Sequence, residues 1–131
     1  MLAMADDPSA AVRSVIEAYN ARDLDALMAL FHDEVVWHTT PGFLWPGPYR
    51  GSDAVRGLFE HWWQGWDTGR VDVRELTEDG DAAMLSADVH GRSAGSGEDV
   101  HVLLNWVLSV RDGRVYLVRS FDSADEARAE L

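Results

Sequence analysis

Arg70-Val71-Asp72-Val73-Arg74-Glu75-Leu76-Thr77, then Glu78-Asp79-Gly80-Asp81, then Ala82-Ala83-Met84-Leu85-Ser86-Ala87-Asp88-Val89-His90 is the stretch that decides the architecture. Val71 and Val73 alternate with charged neighbours at a period of two, and Asp79-Gly80 supplies the turn, so the whole reads as an antiparallel hairpin. Upstream of Gly69 the period is helical. Val12, Val15, Ile16 and Tyr19 fall at i, i+3, i+4 and i+7 after an Asp6-Asp7-Pro8 start. Asp23 then caps a short second helix with Leu24, Leu27, Met28 and Phe31 turned inward, and 35–40 is a short β-branched and aromatic strand. Residues 41–48, rich in Pro and Gly, form a loop. Gly51-Ser52-Asp53 opens a third helix with Val55, Leu58, Phe59, Trp62, Trp63 and Trp66 on a broad apolar face. Downstream, 91–97 is a small-residue loop and 99–110 a long strand. Arg111-Asp112-Gly113 is a tight turn, 115–122 the last strand, and Ser123 with Glu126 caps a terminal helix. Helices followed by consecutive hairpins predict an α+β layer fold.

With 131 residues the chain is read as one domain with a core of its own. The formal charge of −12 comes from 23 acids against 11 bases, all of them Arg. Such a chain repels polyanions, so neither nucleic acid nor an anionic membrane surface is expected as a partner. The absence of Lys excludes Schiff-base chemistry, and the absence of Cys excludes disulfides, thiolate metal sites and cysteine nucleophiles. The five His show no ligand spacing, and no metal and no cofactor are expected. No run approaches the about 18 to 20 apolar residues of a membrane span. Met1 to Asp7 lacks the features of a signal peptide, which makes the cytoplasm the expected compartment. Six Trp in so short a chain point to a pocket wall, a core plug or an interface. Trp62, Trp63 and Trp66 diverge too far around a helix to share one core, so at least one belongs at an interface or a pocket mouth.

Glu17-Ala18-Tyr19-Asn20-Ala21-Arg22-Asp23-Leu24-Asp25-Ala26-Leu27, followed by Phe31-His32-Asp33-Glu34-Val35, resembles the opening of the SnoaL-like group. That group belongs to the superfamily named for nuclear transport factor 2, with the ketosteroid isomerases and limonene-epoxide hydrolases. Pro46-Gly47-Pro48-Tyr49-Arg50-Gly51-Ser52-Asp53 resembles its approach to the third helix, and Arg111-Asp112-Gly113-Arg114-Val115 its last hairpin. The resemblance implies a cone-shaped, curved antiparallel sheet wrapped around an apolar pocket that three N-terminal helices close. It also implies a cofactor-independent isomerase or cyclase acting on a hydrophobic polyketide- or steroid-like molecule. The alternative is a small-molecule-binding or accessory dimerisation module, since one fold hosts many functions. Aligned on the Asp23 turn, the isomerase oxyanion tyrosine falls on Val15, its general base on Thr39 and its oxyanion aspartate on Asn105. Two of the three roles are lost, and ketosteroid isomerisation by the usual residues is not expected. Of the hydrolase's Asp-Arg-Asp relay only Asp122 can be placed.

Asn105 stands in a run of Val, Leu and Trp, where an unpaired amide is costly, so it is expected to face the pocket. Strand alternation then brings His101, Leu103 and Val107 to the same face. Val118, Ser120 and Asp122 are expected to join them from the last strand. Asp122 would be the acid–base group, with Asn105 or His101 stabilising an enolate; capping of the terminal helix is the plainer role for Asp122. Trp37 and Thr39 are expected inside the pocket, His38 is a further catalytic candidate, and Tyr19 offers a hydroxyl in place of the lost donor. Trp106 shares the opposite face with Leu104, Leu108 and Val110. That stripe is expected on the convex side, covered by a second copy in a homodimer.

Overall fold

The computed structural model describes residues 7–40, 43 and 45–131. The signal-peptide reading of the first residues, the Asp6 part of the helix start and the loop residues Pro41, Gly42 and Leu44 lie outside them. Helix α1 (Pro8–Asn20) begins where the Asp7 carboxylate accepts from the N–H groups of Ser9 and Ala10 and Pro8 needs no donor partner. Asp23 caps α2 (Leu24–Met28) in the same way, through the N–H of Ala26. Strand β1 (Phe31–His38) starts earlier than the sequence suggests, and β2 (Tyr49–Arg50) is a short antiparallel partner to it. Helix α3 (Ser52–Gln64) ends at Gly65, so Trp66 leaves the helix face and opens β3 (Trp66–Asp79). Strands β4 (Ala82–Ser93), β5 (Asp99–Arg111) and β6 (Arg114–Phe121) follow, and Ser123 caps α4 (Ala124–Ala129) by accepting from the N–H of Glu126.

The six strands form one curved, unclosed sheet in the order β2-β1-β6-β5-β4-β3. Its meander from β3 to β6 is antiparallel as expected, but β1 runs parallel to β6, so the sheet is not purely antiparallel. The β5–β6 turn has positive φ at both Asp112 (56°) and Gly113 (75°), the left-handed pair that matches the twist of a two-residue hairpin. Across β3 and β4 the backbones approach so closely at Gly91 that a Cβ there would lie 1.9 Å from the Thr68 carbonyl oxygen.

Two apolar clusters, one on each face, hold the sheet. Cross-strand partners share a face, and β4 pairs with β5 as Ala83 with Leu108, Leu85 with Trp106, Ala87 with Leu104 and Val89 with Val102. Apart from Val102, these residues belong to the main core under α1 and α3, together with Val12, Phe31, Val35, Val55 and Phe59. The intervening pairs, Met84 with Val107 and Ser86 with Asn105, belong to the other face. There α4 lays Ala127 on Met84 and Val107, and all three side chains are essentially inaccessible.

This register corrects the orientation expected for β5. Leu104, Trp106, Leu108 and Val110 pack with the main core, and His101, Leu103, Asn105 and Val107 point outward. Positions 100, 102, 104, 106, 108 and 110 are all apolar, whereas 101, 105 and 109 are His, Asn and Ser, so the alternation itself marks the Trp106 side as the core face. Setting Asn105 in the pocket by resemblance reversed that reading. The homodimer expectation loses its motive with this, since the Trp106 stripe is covered by the chain's own helices.

Candidate ligand-binding site

A cavity of about 130 Å3 opens between the helices and the concave face of the sheet. Three elements build its walls for local reasons. Val15, Ile16 and Tyr19 recur at helical spacing on α1, and Leu58, Phe59 and Trp62 do so on α3. Leu85, Val89, Leu104, Trp106 and Leu108 form the sheet side, with Phe31 and Trp37 from β1. Thr39, Thr40, Phe43 and Ser120 also line it. The aromatic rings interlock: Trp37 meets Phe59 edge-on at 5.4 Å between centroids, and Phe31 lies 5.8 Å from Phe59.

Tyr19 is held in place by its neighbours in sequence. The Asn20 side chain accepts from the N–H of Val71 at 2.8 Å and donates to the carbonyl of Val71 at 3.0 Å, clamping the end of α1 to β3. Arg22, at a φ of 54°, donates to the Trp66 carbonyl at 2.9 Å. With the helix end fixed at two points, the Tyr19 hydroxyl receives the Trp62 Nε1 hydrogen at 2.6 Å. Burial pushes the Tyr19 hydroxyl above the usual tyrosine range, against the indole N–H groups of Trp62 and Trp63 and the charge of Arg22, which pull it down. It is a hydrogen-bond donor at neutral pH.

The expected acid–base trio does not converge on this space. Asn105 borders the cavity, but its two neighbours are the inward residues, so it does so through its main chain. Its side-chain oxygen accepts from Ser86 Oγ at 2.8 Å on the outer face, and both residues are buried. The amide is thus satisfied where the expectation had it waiting for a ligand. His101 Nε2 lies 2.7 Å from the Asp88 carboxylate on the outer face. Asp122 is exposed beyond the end of β6, where Ser123 rather than Asp122 caps α4. His38 pairs in register with Arg119, on the face opposite Trp37. Leu103 is exposed and Val107 sits under α4, both away from the cavity. Val118 is fully buried beside Trp37 and Leu108 in the main core and does not border the cavity. Tyr19, Trp37, Thr39 and Ser120 do line it. The Thr39 hydroxyl already accepts from the N–H of Gly47 at 2.9 Å.

The outer face instead carries a lattice of paired charges across β3, β4 and β5. Asp72 lies opposite Asp88, and His90 opposite His101. His90, then Arg70, hold the Asp72 carboxyl below its ordinary value, and His101, with Arg74 as a further cation, does the same for Asp88. Each carboxylate is committed to its own neighbours.

Sequence reasoning passed over Leu104, Trp106 and Phe43 as lining residues. At least one of Trp62, Trp63 and Trp66 was expected at an interface or a pocket mouth, and Trp62 lines the cavity.

The family profile described as the SnoaL-like domain matches residues 12–118. No curated protein matches the chain at a significant level. Among solved structures, an NTF2-like protein of unknown function from Burkholderia pseudomallei is 21% identical with a TM-score of 0.76, covering 88% of this chain and 90% of its own. A putative polyketide cyclase from Sinorhizobium meliloti is 24% identical with a TM-score of 0.70, covering 85% and 93%. A protein with a ketosteroid isomerase-like fold from Catenulispora acidiphila, solved in complex with trimethylamine, is 15% identical with a TM-score of 0.76, covering 89% and 88%.

Proposed function

The chain belongs to the SnoaL-like domain family, and on that footing we propose that it is a binding protein for a small apolar molecule, held in the cavity without acid–base turnover. The observation that carries this reading is the lining itself. Among the described residues the cavity is bordered by apolar and aromatic side chains, three hydroxyl-bearing residues (Thr39, Thr40 and Ser120) and Tyr19, with no carboxylate and no imidazole. Proton abstraction next to a carbonyl needs a base within hydrogen-bond reach. Asp122, His101 and His38, the groups able to serve, lie outside. The isomerase or cyclase reading would need Asp122 in the cavity and gains nothing from this arrangement. An apolar cavity with few polar groups is the usual form of a small-molecule site. A guest as small as the trimethylamine seen in the Catenulispora protein is compatible with the volume.

Titration of the full chain with ethylbenzene, followed by tryptophan fluorescence, tests the reading. Binding should saturate, and Asp122→Asn and His101→Gln should leave the affinity unchanged. Leu104→Trp, which fills the cavity, should weaken it by about tenfold or more, a loss of about 1.4 kcal/mol. Binding that Asp122→Asn abolishes, or that Leu104→Trp leaves intact, would move the site elsewhere.

A further inference from the structure

Tyr19 is one of four hydroxyl-bearing residues, with Thr39, Thr40 and Ser120, that border a mostly apolar space. Its hydroxyl oxygen is engaged by the Trp62 Nε1 hydrogen at 2.6 Å, and the Trp63 ring lies 5.3 Å from its own ring. The hydroxyl proton must therefore point away from the Trp62 donor, and among the described residues no protein acceptor takes it. A buried donor in this position is satisfied by an acceptor that comes with the guest. Burial keeps the hydroxyl protonated and so able to donate.

Size and charge narrow the guest further. A cavity of about 150 Å3 lined by Leu, Ile and Phe takes up benzene, and this one measures about 130 Å3 with the same kind of walls. A polycyclic skeleton would have to extend out of it through its open side. An ammonium would meet aromatic faces but would find the Tyr19 oxygen already taken by an indole N–H, and no carboxylate borders the cavity. An anion would enter against a chain of net charge −12.

Resting on the binding reading above, we infer that the ligand is an uncharged compound of about one six-membered ring with a short substituent, carrying a single oxygen acceptor that the Tyr19 hydroxyl recognises. Trp62 is a positioning residue, because it orients that hydroxyl through its own N–H.

Acetophenone, ethylbenzene and progesterone separate the parts of the inference when titrated into the full chain and into Tyr19→Phe. Acetophenone and ethylbenzene have similar shape, and only the first carries an acceptor. Wild type should bind acetophenone about tenfold more tightly than ethylbenzene, worth about 1.4 kcal/mol. Within the Tyr19→Phe variant, acetophenone and ethylbenzene should bind with the same affinity, so the preference between them disappears. Progesterone, which is polycyclic, should bind more weakly than either. Equal affinities in wild type, or a preference that survives Tyr19→Phe, would overturn the hydrogen-bond assignment while the cavity reading stands. Tighter binding of progesterone would overturn the size assignment. Failure of all three probes to bind would overturn the binding reading itself. The wild-type comparison needs no variant, so it decides the matter even if Tyr19→Phe proves unstable.

Discussion

Trp106→Glu should lose about 3 kcal/mol or more of folding stability, whereas Leu103→Glu should stay within about 0.5 kcal/mol of wild type. The two positions lie three apart on β5, so they point to opposite faces of the sheet. Trp106 packs with the main core and lines the cavity, and its register partners are Leu85 and Ser120. Removing a large core aromatic costs about 3–5 kcal/mol through lost burial and the void it leaves, and a carboxylate in the same space adds desolvation. Partial exposure of Trp106 toward the cavity favours the low end of that range. Leu103 is 46% exposed on the outer face beside Asp88, so a carboxylate there stays in water. Urea denaturation of both variants reads the difference directly. Had the stripe faced outward to a second copy, Trp106→Glu would give a stable monomer. A near-wild-type midpoint for Trp106→Glu with a large loss for Leu103→Glu would reverse the face assignment.

Ala127→Asp should cost about 3 kcal/mol by the same measurement. Ala127 has no accessible surface and touches Met84 and Val107, themselves buried to 0% and 1% exposure. An unpaired carboxylate cannot remain there, so the helix has to peel away. Exposing a buried Val or Met costs about 1.5–3 kcal/mol each, and that sets the scale. The ion pair from Arg128 to Glu75, at 2.7 Å, is at the surface and does not anchor the helix against this loss. A loss below about 1 kcal/mol would show that α4 does not seal the outer cluster.

That outer cluster also explains what could and could not be read from the chain. The element order was legible, because Asp7, Asp23 and Ser123 act locally as caps and Asp79-Gly80 and Asp112-Gly113 act locally as turns. The switch from helical to alternating period between α3 and β3 was legible for the same reason. The facing of β5 was legible as well, in the unbroken apolar series at positions 100, 102, 104, 106, 108 and 110, but the resemblance that set Asn105 in the pocket reversed it. What stayed hidden is the six-residue helix that returns to cover Met84 and Val107, a contact between segments far apart in sequence. Asn105 was legible as a buried polar group but not its partner, since Ser86 lies on a neighbouring strand. The same nonlocality hid the Tyr19–Trp62 hydrogen bond, which spans α1 and α3. Tyr19, Trp37, Thr39 and Ser120 border the cavity, although the expected grouping of Ser120 with Asn105 does not hold, since Ser120 lies across from Trp106 on the opposite face.

The central claim is that the guest occupies the concave cavity and leaves the titratable groups of the outer face and of the β6 terminus untouched. Intermolecular nuclear Overhauser contacts from ethylbenzene protons to assigned side chains test it most directly. The account requires contacts to Leu104, Trp106, Phe59 and Tyr19, and none to Leu103, Val107 or His101. Contacts to Leu103 and His101 without any to Trp106 would contradict it.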